Sequence, residues 1–583
     1  MSSATAINMT TGVKGSDVYA TTGSPLLDLS VMLNRGLDQE VINSAVKRIV
    51  SSGDAAAVED LFVLAFQTRD VRGGKGERDL FKHLMCALNT ELSSVTLSTL
   101  DLVPEYGCWR DVFALAQGPA LLSSPFVAEI EKVVAKQLAS DEAALAAASA
   151  SGDKPKLSLL AKWLPKEHSN KGFNKALAQH LARTLNPGSR TPDADYRKRV
   201  AKLNTALKTV EIAMCDGRFS DIDPKSVPGR ALAKYRAAFL NEPVKGEHGR
   251  KTKLTVEDRM ECEKRFREHF AAAAAGKATV KGANTVFPHE LVSRVLRGEG
   301  SCDVDERNAI QAQWNSIRDA VKASGGLNRC LAMCDFSGSM SGTPMDVSMA
   351  LGCLISECNK GGAFEDYILT FDSTPTLHKF SSEGIVERVN EVRPLAQGLS
   401  TDFQAAYNLV LKHLVDNAVP VGQEPKDLIV LTDMGWDQAC GFGQHSAYTG
   451  MSHRHAVKTQ PQESHITIAR RAFQKAGETL FGEGNGWQAP RIVIWNLRAE
   501  YADFHATAST EGVVQVSGWS PSLLKVLTTR GVDALTPDAM LRAQLEDPRY
   551  DAVRSRVHAQ LPAALTASKG TLRGDLAARF AAW

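Results

Sequence analysis

The stretch Asn328–Ser341 (NRCLAMCDFSGSMS) constrains this chain more than any other. Its apolar run, Cys330 to Cys334, has the length and composition of a strand covered on both faces. The run stops at Asp335, Ser337, Gly338 and Ser339 follow, and a helical period takes over from Met345 to Cys358. A carboxylate and two hydroxyls at alternate positions past a strand's carboxyl end direct oxygens into one crevice. Open α/β sheets bind ligands there. Hard oxygen donors with no Cys or His suit Mg2+, or Mn2+, in preference to Zn2+.

This Asp-x-Ser-x-Ser run resembles the opening of the metal-ion-dependent adhesion site (MIDAS) of von Willebrand factor A (vWA) domains. The resemblance requires two more ligands downstream, a Thr in a loop before a helix and an Asp after the next buried strand. Thr401 stands in Gly398–Asp402, ahead of the helical run Phe403–Val415, and Asp433 ends the apolar run Leu428–Thr432. The implied ligands are therefore Asp335, Ser337, Ser339, Thr401 and Asp433. Mg2+ (or Mn2+) is the implied cofactor, and a partner's acidic side chain would fill the open coordination position. Asp402 and Asp437 are candidates for water-mediated support, or for capping.

The 583 residues call for more than one domain. Residues 1–24 are small and polar, with no signal-peptide core, and read as disordered or extended. From Asp38 to Ala323 the apolar period is helical, with few alternating runs, which predicts an α-solenoid or irregular bundle of divergent, HEAT-like repeats. From Leu327, strands expected at 367–372, 376–380, 428–433, 491–497 and 513–519 alternate with helices. That pattern predicts a doubly wound, mostly parallel, Rossmann-type sheet. The expected organisation is a flexible 1–24, a helical domain over 25–326, a vWA-like domain over 327–530 and a helical extension and tail over 531–583. His445, His453, His455 and His465 have no metal-ligand spacing and read as a surface excursion.

Charge is unevenly spread. Residues 151–300 hold 30 Lys and Arg against 17 Asp and Glu, a net of +13, between acidic flanks, and the whole chain is only +2. A basic middle points to a polyanion, nucleic acid above all, against the alternative of solvated helix faces. The Gly-rich run Gln67–Asp79 carries Arg69, Arg72, Lys75 and Arg78. It reads either as a phosphate-holding loop or as a helix–helix turn braced by Arg–Asp pairs. Together with Pro104–Phe113, Ser158–His168 and Tyr196–Phe219, this ordered set resembles the TROVE module of Ro-type RNA-binding proteins. It resembles still more closely a family that joins a TROVE-like helical half to a vWA-like domain. The resemblance implies single-stranded RNA ends or small structured RNA as partner. It offers Lys162, Lys166, His168, Lys171, Lys175, Arg197, Lys198 and Arg199 as contacts.

A catalytic reading lacks a recognisable base, a nucleophile elbow, a phosphate loop and a second metal cluster. The expected function is a non-catalytic RNA-binding protein of Ro type with a Mg2+-bearing MIDAS. The alternatives are a vWA-based protein scaffold without RNA and a metal-dependent hydrolase. Ten Cys without Cys-x-x-Cys pairs, and no apolar run long enough for a membrane span, fit a monomeric protein of the reducing cytoplasm.

Overall fold

The computed structural model describes residues 9–12, 17–117, 124–167, 172–245, 251–282, 286–298, 303–323, 327–360, 362–371, 375–396, 403–435, 465–500, 503–524 and 536–581. The chain forms two compact units whose boundaries cut across the sequence. One comprises residues 1–37, 273–276 and 286–544, and the other residues 38–272, 277–285 and 545–583. These seams differ from those expected at 24/25, 326/327 and 530/531.

The first unit is built on a six-stranded sheet of β1 (Cys330–Asp335), β2 (Tyr367–Phe371), β3 (Leu377–Lys379), β4 (Asp427–Thr432), β5 (Arg491–Asn496) and β6 (Val513–Ser517). Its order is β6-β5-β4-β1-β2-β3, parallel throughout except for the antiparallel edge strand β3. Every residue of β1, β4, β5 and β6 is buried. Successive side chains of a strand alternate between faces, so complete burial requires both faces to be covered. From β1 the chain moves outward to β2 and β3, then returns to the other side of β1 as β4. The strand order therefore reverses between β1 and β4.

Helix Thr343–Cys358 packs closely against the sheet because Gly352 has no side chain. A Cβ there would meet Cys334 Sγ at 2.5 Å and Ile368 Cδ1 at 2.7 Å. The N-terminal segment belongs to the same unit. Strands Met9–Thr11 and Asp17–Tyr19 pair as a hairpin, so these residues of 1–24 are extended. Ser24 then caps helix Pro25–Met32 by accepting from the Leu27 N–H. That segment is tied to the sheet's carboxyl edge: Asn34 donates to Asn496 O (3.0 Å), Asn496 to Val31 O (3.0 Å) and Ser517 to Ser30 O (2.6 Å).

The second unit is helical. Its helix Ala55–Arg69 is buried from Asp60 to its end. Helix Asp551–Ala581 belongs to this unit. It is anchored by buried Val553, Val557 and Leu561 and by Arg554, which pairs with Glu59 (3.0 Å) and Asp60 (2.9 Å). Helices Pro192–Leu207 and Val210–Cys215 are separated by Lys208 in the left-handed region (φ 47°). Among the described residues no helix is long and apolar enough to cross a membrane.

Candidate functional site

Parallel pairing of Leu431 with Cys334 sets Thr432 beside Asp335 at the carboxyl ends of β4 and β1, the point where the strand order reverses. In an open α/β sheet this is the ligand crevice. Asp335 and Asp433 are both fully buried, and Ser337 is nearly so. Asp335 Oδ1 accepts the Ser337 N–H (2.9 Å) and Oδ2 accepts the Thr432 hydroxyl (3.0 Å). Ser337 then opens a 3-10 turn, Gly338–Met340, which brings Ser337 Oγ and Ser339 Oγ to 3.0 Å from each other. A Cβ added at Gly338 would meet nothing within 4 Å, so this turn borders open space.

Asp433 Oδ1 accepts the Gly435 N–H (3.0 Å), but its buried Oδ2 has no hydrogen-bond partner. A buried carboxylate oxygen without a donor costs stability unless something positive meets it. Burial, and then the charge of Asp433, push the Asp335 carboxyl up to about 7. Two buried carboxylates and two convergent hydroxyls make a hard, electron-rich donor set that fits a small divalent cation. Among the described residues no three His, Cys, Asp or Glu side chains form a metal-holding group, so an ion here would rest on the two carboxylates and the hydroxyls.

The structure thus brings Asp335, Ser337, Ser339 and Asp433 together. Thr401, with Asp402 and Asp437, lies outside the described residues, as do His445, His453 and His455. Several supporting residues escaped the sequence reading. The Thr432 hydroxyl donates to Asp335 and accepts the Met434 N–H (3.2 Å), linking the two strand ends. Met434 itself is in the left-handed region (φ 75°), uncommon for a residue with a long side chain. Its carbonyl is 2.8 Å from Nε2 of buried His505. Arg498 donates to the Ser339 carbonyl and pairs with Glu500 (2.8 Å). The one available signal was the register of two apolar strands, which sets a hydroxyl at 432 beside a carboxylate at 335.

The candidate RNA contacts are treated differently by the helical unit. Arg69 and Arg78 both close on buried Asp111 at 2.7 Å. Arg72 donates to Glu105 O (2.9 Å). Lys75 is buried, and that burial, opposed by the charge of Glu77, lowers its pKa to about 7. The loop's N–H groups turn inward. Those of Arg72 and Gly73 meet the Asp70 carboxylate, that of Lys75 meets Gln67 O, and that of Glu77 meets Thr68 O. Gly74 permits this folding back, since a Cβ there would lie 1.8 Å from Gln67 O. Gln67–Asp79 is therefore a helix–helix turn braced by Arg–Asp pairs, and its described donors do not form a phosphate cradle.

Further along, Lys162 pairs with Glu211 (2.9 Å) and Arg197 with Glu167 (2.7 Å). Arg199 grips both oxygens of Glu142 (2.7 and 3.0 Å). Lys166, Lys175 and Lys198 are exposed, and no ion pair among the described residues takes them up. His168 and Lys171 lie outside the described residues.

The sequence model of a family described as Domain of unknown function (DUF7788) matches residues 329–563, a span that opens at β1 and includes the crevice. The chain is also similar to Uncharacterized protein L728 of Acanthamoeba polyphaga mimivirus. The two are 28% identical over 553 residues, 92% of this chain and 87% of that protein, so the likeness spans both the helical and the sheet-bearing parts.

Proposed function

We propose that the sheet-bearing unit is a vWA-type module that takes up a divalent cation at a MIDAS and uses it to bind an acidic side chain of a partner protein. The observation that carries this reading is Asp433 Oδ2, buried and without a donor beside the buried carboxylate of Asp335. Asp335, Ser337, Ser339 and Asp433, joined by Thr401 if the vWA resemblance holds there, would hold Mg2+ or Mn2+. A cation with only two carboxylate ligands keeps electrophilic character and supplies a docking point for a carboxylate oxygen. This chain's part is to fix the donors: Thr432 steers Asp335, His505 holds the Met434 turn, and Arg498 braces the Ser339 carbonyl. We assign no catalytic step to the module.

The test is selection from a displayed peptide library against the full chain in Mg2+, with elution by EDTA. Peptides with Asp or Glu at a fixed position should be enriched, and Asp335→Ala should lose them. A selection without carboxylate enrichment would overturn the reading.

Exposed Lys166, Lys175 and Lys198 favour a second, compatible reading, in which a TROVE-like, HEAT-type helical domain contacts RNA as in Ro-type proteins. Phosphate contacts by Lys make affinity fall steeply with salt. Purified protein titrated with single-stranded and structured RNA across a salt series should show that slope. Absence of binding, or binding indifferent to salt, would refute it.

A further inference from the structure

A cavity of about 710 Å³ lies at the amino ends of β4, β5 and β6, the opposite edge of the sheet from Asp335 and Asp433. Its walls carry Arg329, Lys426, Arg470 and Arg491 against Glu424 and Glu511, four positive charges to two negative. Arg491 heads β5 and is 7% exposed. Its Nε donates to Asp427 (2.6 Å), while its buried Nη1 has no hydrogen-bond partner. The Glu424 carboxylate is already spent, since it accepts the N–H groups of Gly422 and Gln488 and so ties two rim loops together. Arg329 donates to the Gly422 carbonyl and Arg470 to the Glu511 carbonyl, which fixes both guanidinium groups at the rim.

We propose that this cavity binds a phosphate group carried by a small molecule of about mononucleotide size. Small-molecule sites run to roughly 300–1,000 Å³, and this volume suits a nucleoside with its phosphate. Guanidinium groups match phosphate oxygens with paired, charge-assisted N–H donors, and even with Arg491 balanced by Asp427 the lining keeps a net positive charge that favours an anion. Arg491, whose buried Nη1 lacks a hydrogen-bond partner, lines the same cavity. The site is independent of the proposed cation site. A six-residue strand, about 20 Å at 3.3 Å per residue, separates the two edges.

The experiment is calorimetric and thermal-shift titration of the full chain with AMP, inorganic phosphate, glutamate and a 5′-phosphorylated tetranucleotide at fixed ionic strength. AMP should bind saturably and raise the melting temperature, phosphate should compete, and glutamate should do neither. Lys426→Gln and Arg470→Gln leave the Asp427–Arg491 pair intact, and each should weaken AMP by about tenfold or more. Asp335→Ala should bind AMP as the wild type does, even if the ion-dependent reading fails. No saturable AMP binding by the wild type, or unchanged affinity in the Lys426→Gln, Arg470→Gln double variant, would overturn the proposal. Tighter binding of the tetranucleotide than of AMP would overturn the small-molecule assignment.

Discussion

Replacing Thr432 by Val keeps the shape of a fully buried side chain and removes only its hydroxyl. That hydroxyl donates to Asp335 Oδ2 at 3.0 Å and accepts the Met434 N–H at 3.2 Å. Losing a hydrogen bond to a carboxylate costs about 1.5–3 kcal/mol, and stranding a buried N–H costs about 1–3 kcal/mol more. No cavity opens, because Val matches Thr in volume, so the expected loss is about 3–5 kcal/mol from the sheet-bearing unit. A unit of this size loses about 2–4 °C per kcal/mol, so its thermal transition should drop by on the order of 10 °C. Thr432→Ser keeps the hydroxyl and should recover most of the loss. The assay is thermal or urea unfolding of the full chain followed by tryptophan fluorescence, since Trp487 and Trp495 are buried in this unit. If Thr432→Val were as stable as the wild type, or Thr432→Ser no better than Thr432→Val, the hydroxyl would not hold the two strand ends together.

Gly352→Ala should lower the same transition by about 1–3 kcal/mol through overpacking against Cys334 and Ile368, and adding Cys334→Ala should return part of it; unfolding of the two single variants and the double reads the coupling. Lys166→Gln, Lys175→Gln and Lys198→Gln combined should weaken RNA binding and flatten its log–log salt slope by up to about 2, at about 0.7 per single-strand phosphate contact. Arg199→Gln, by contrast, should cost stability, because Arg199 is committed to Glu142; filter binding and melting curves separate the two effects. Burial of His269 lowers its pKa below the usual 6.5, with Asp223 opposing and Lys225 assisting. Its folded pKa lies below its unfolded one, so the helical unit should keep full stability above 6.5 and lose it as pH falls through and below that value. Urea titrations of the wild type and His269→Leu from pH 8 to 4 should show the slope reduced in the variant.

The central strands were legible in the chain because they are continuous apolar runs. Cys330–Cys334 and Leu428–Leu431 have the length and composition of strands covered on both faces, and the oxygen-bearing residues that end them converge once the two strands are neighbours. What remained hidden depended on partners distant in sequence. Helix Pro25–Met32 belongs with the sheet because Asn34 meets Asn496, 462 positions away, and no local pattern encodes that. The same holds for the C-terminal helix, whose Arg554 meets Glu59 and Asp60. Arg69 and Arg78 looked available because their partner, Asp111, lies several helices further along the chain. The phosphate cavity draws Arg329, Lys426, Arg470 and Arg491 from separate loops and strand starts, with no motif to mark them. Met434 gave no turn signal, since its left-handed backbone is imposed by Thr432 on one side and His505 on the other and not by Gly or Asn.

The proposed module takes up a cation between the carboxyl ends of β1 and β4. Its most direct test is Mn2+ binding to the full chain by electron paramagnetic resonance, repeated with Mg2+ as competitor and with Asp433→Asn. The expected result is a single saturable site per chain, displaced by Mg2+ and lost in Asp433→Asn while that variant still folds. A wild-type chain that leaves Mn2+ free, or an Asp433→Asn chain that binds it equally well, would contradict it.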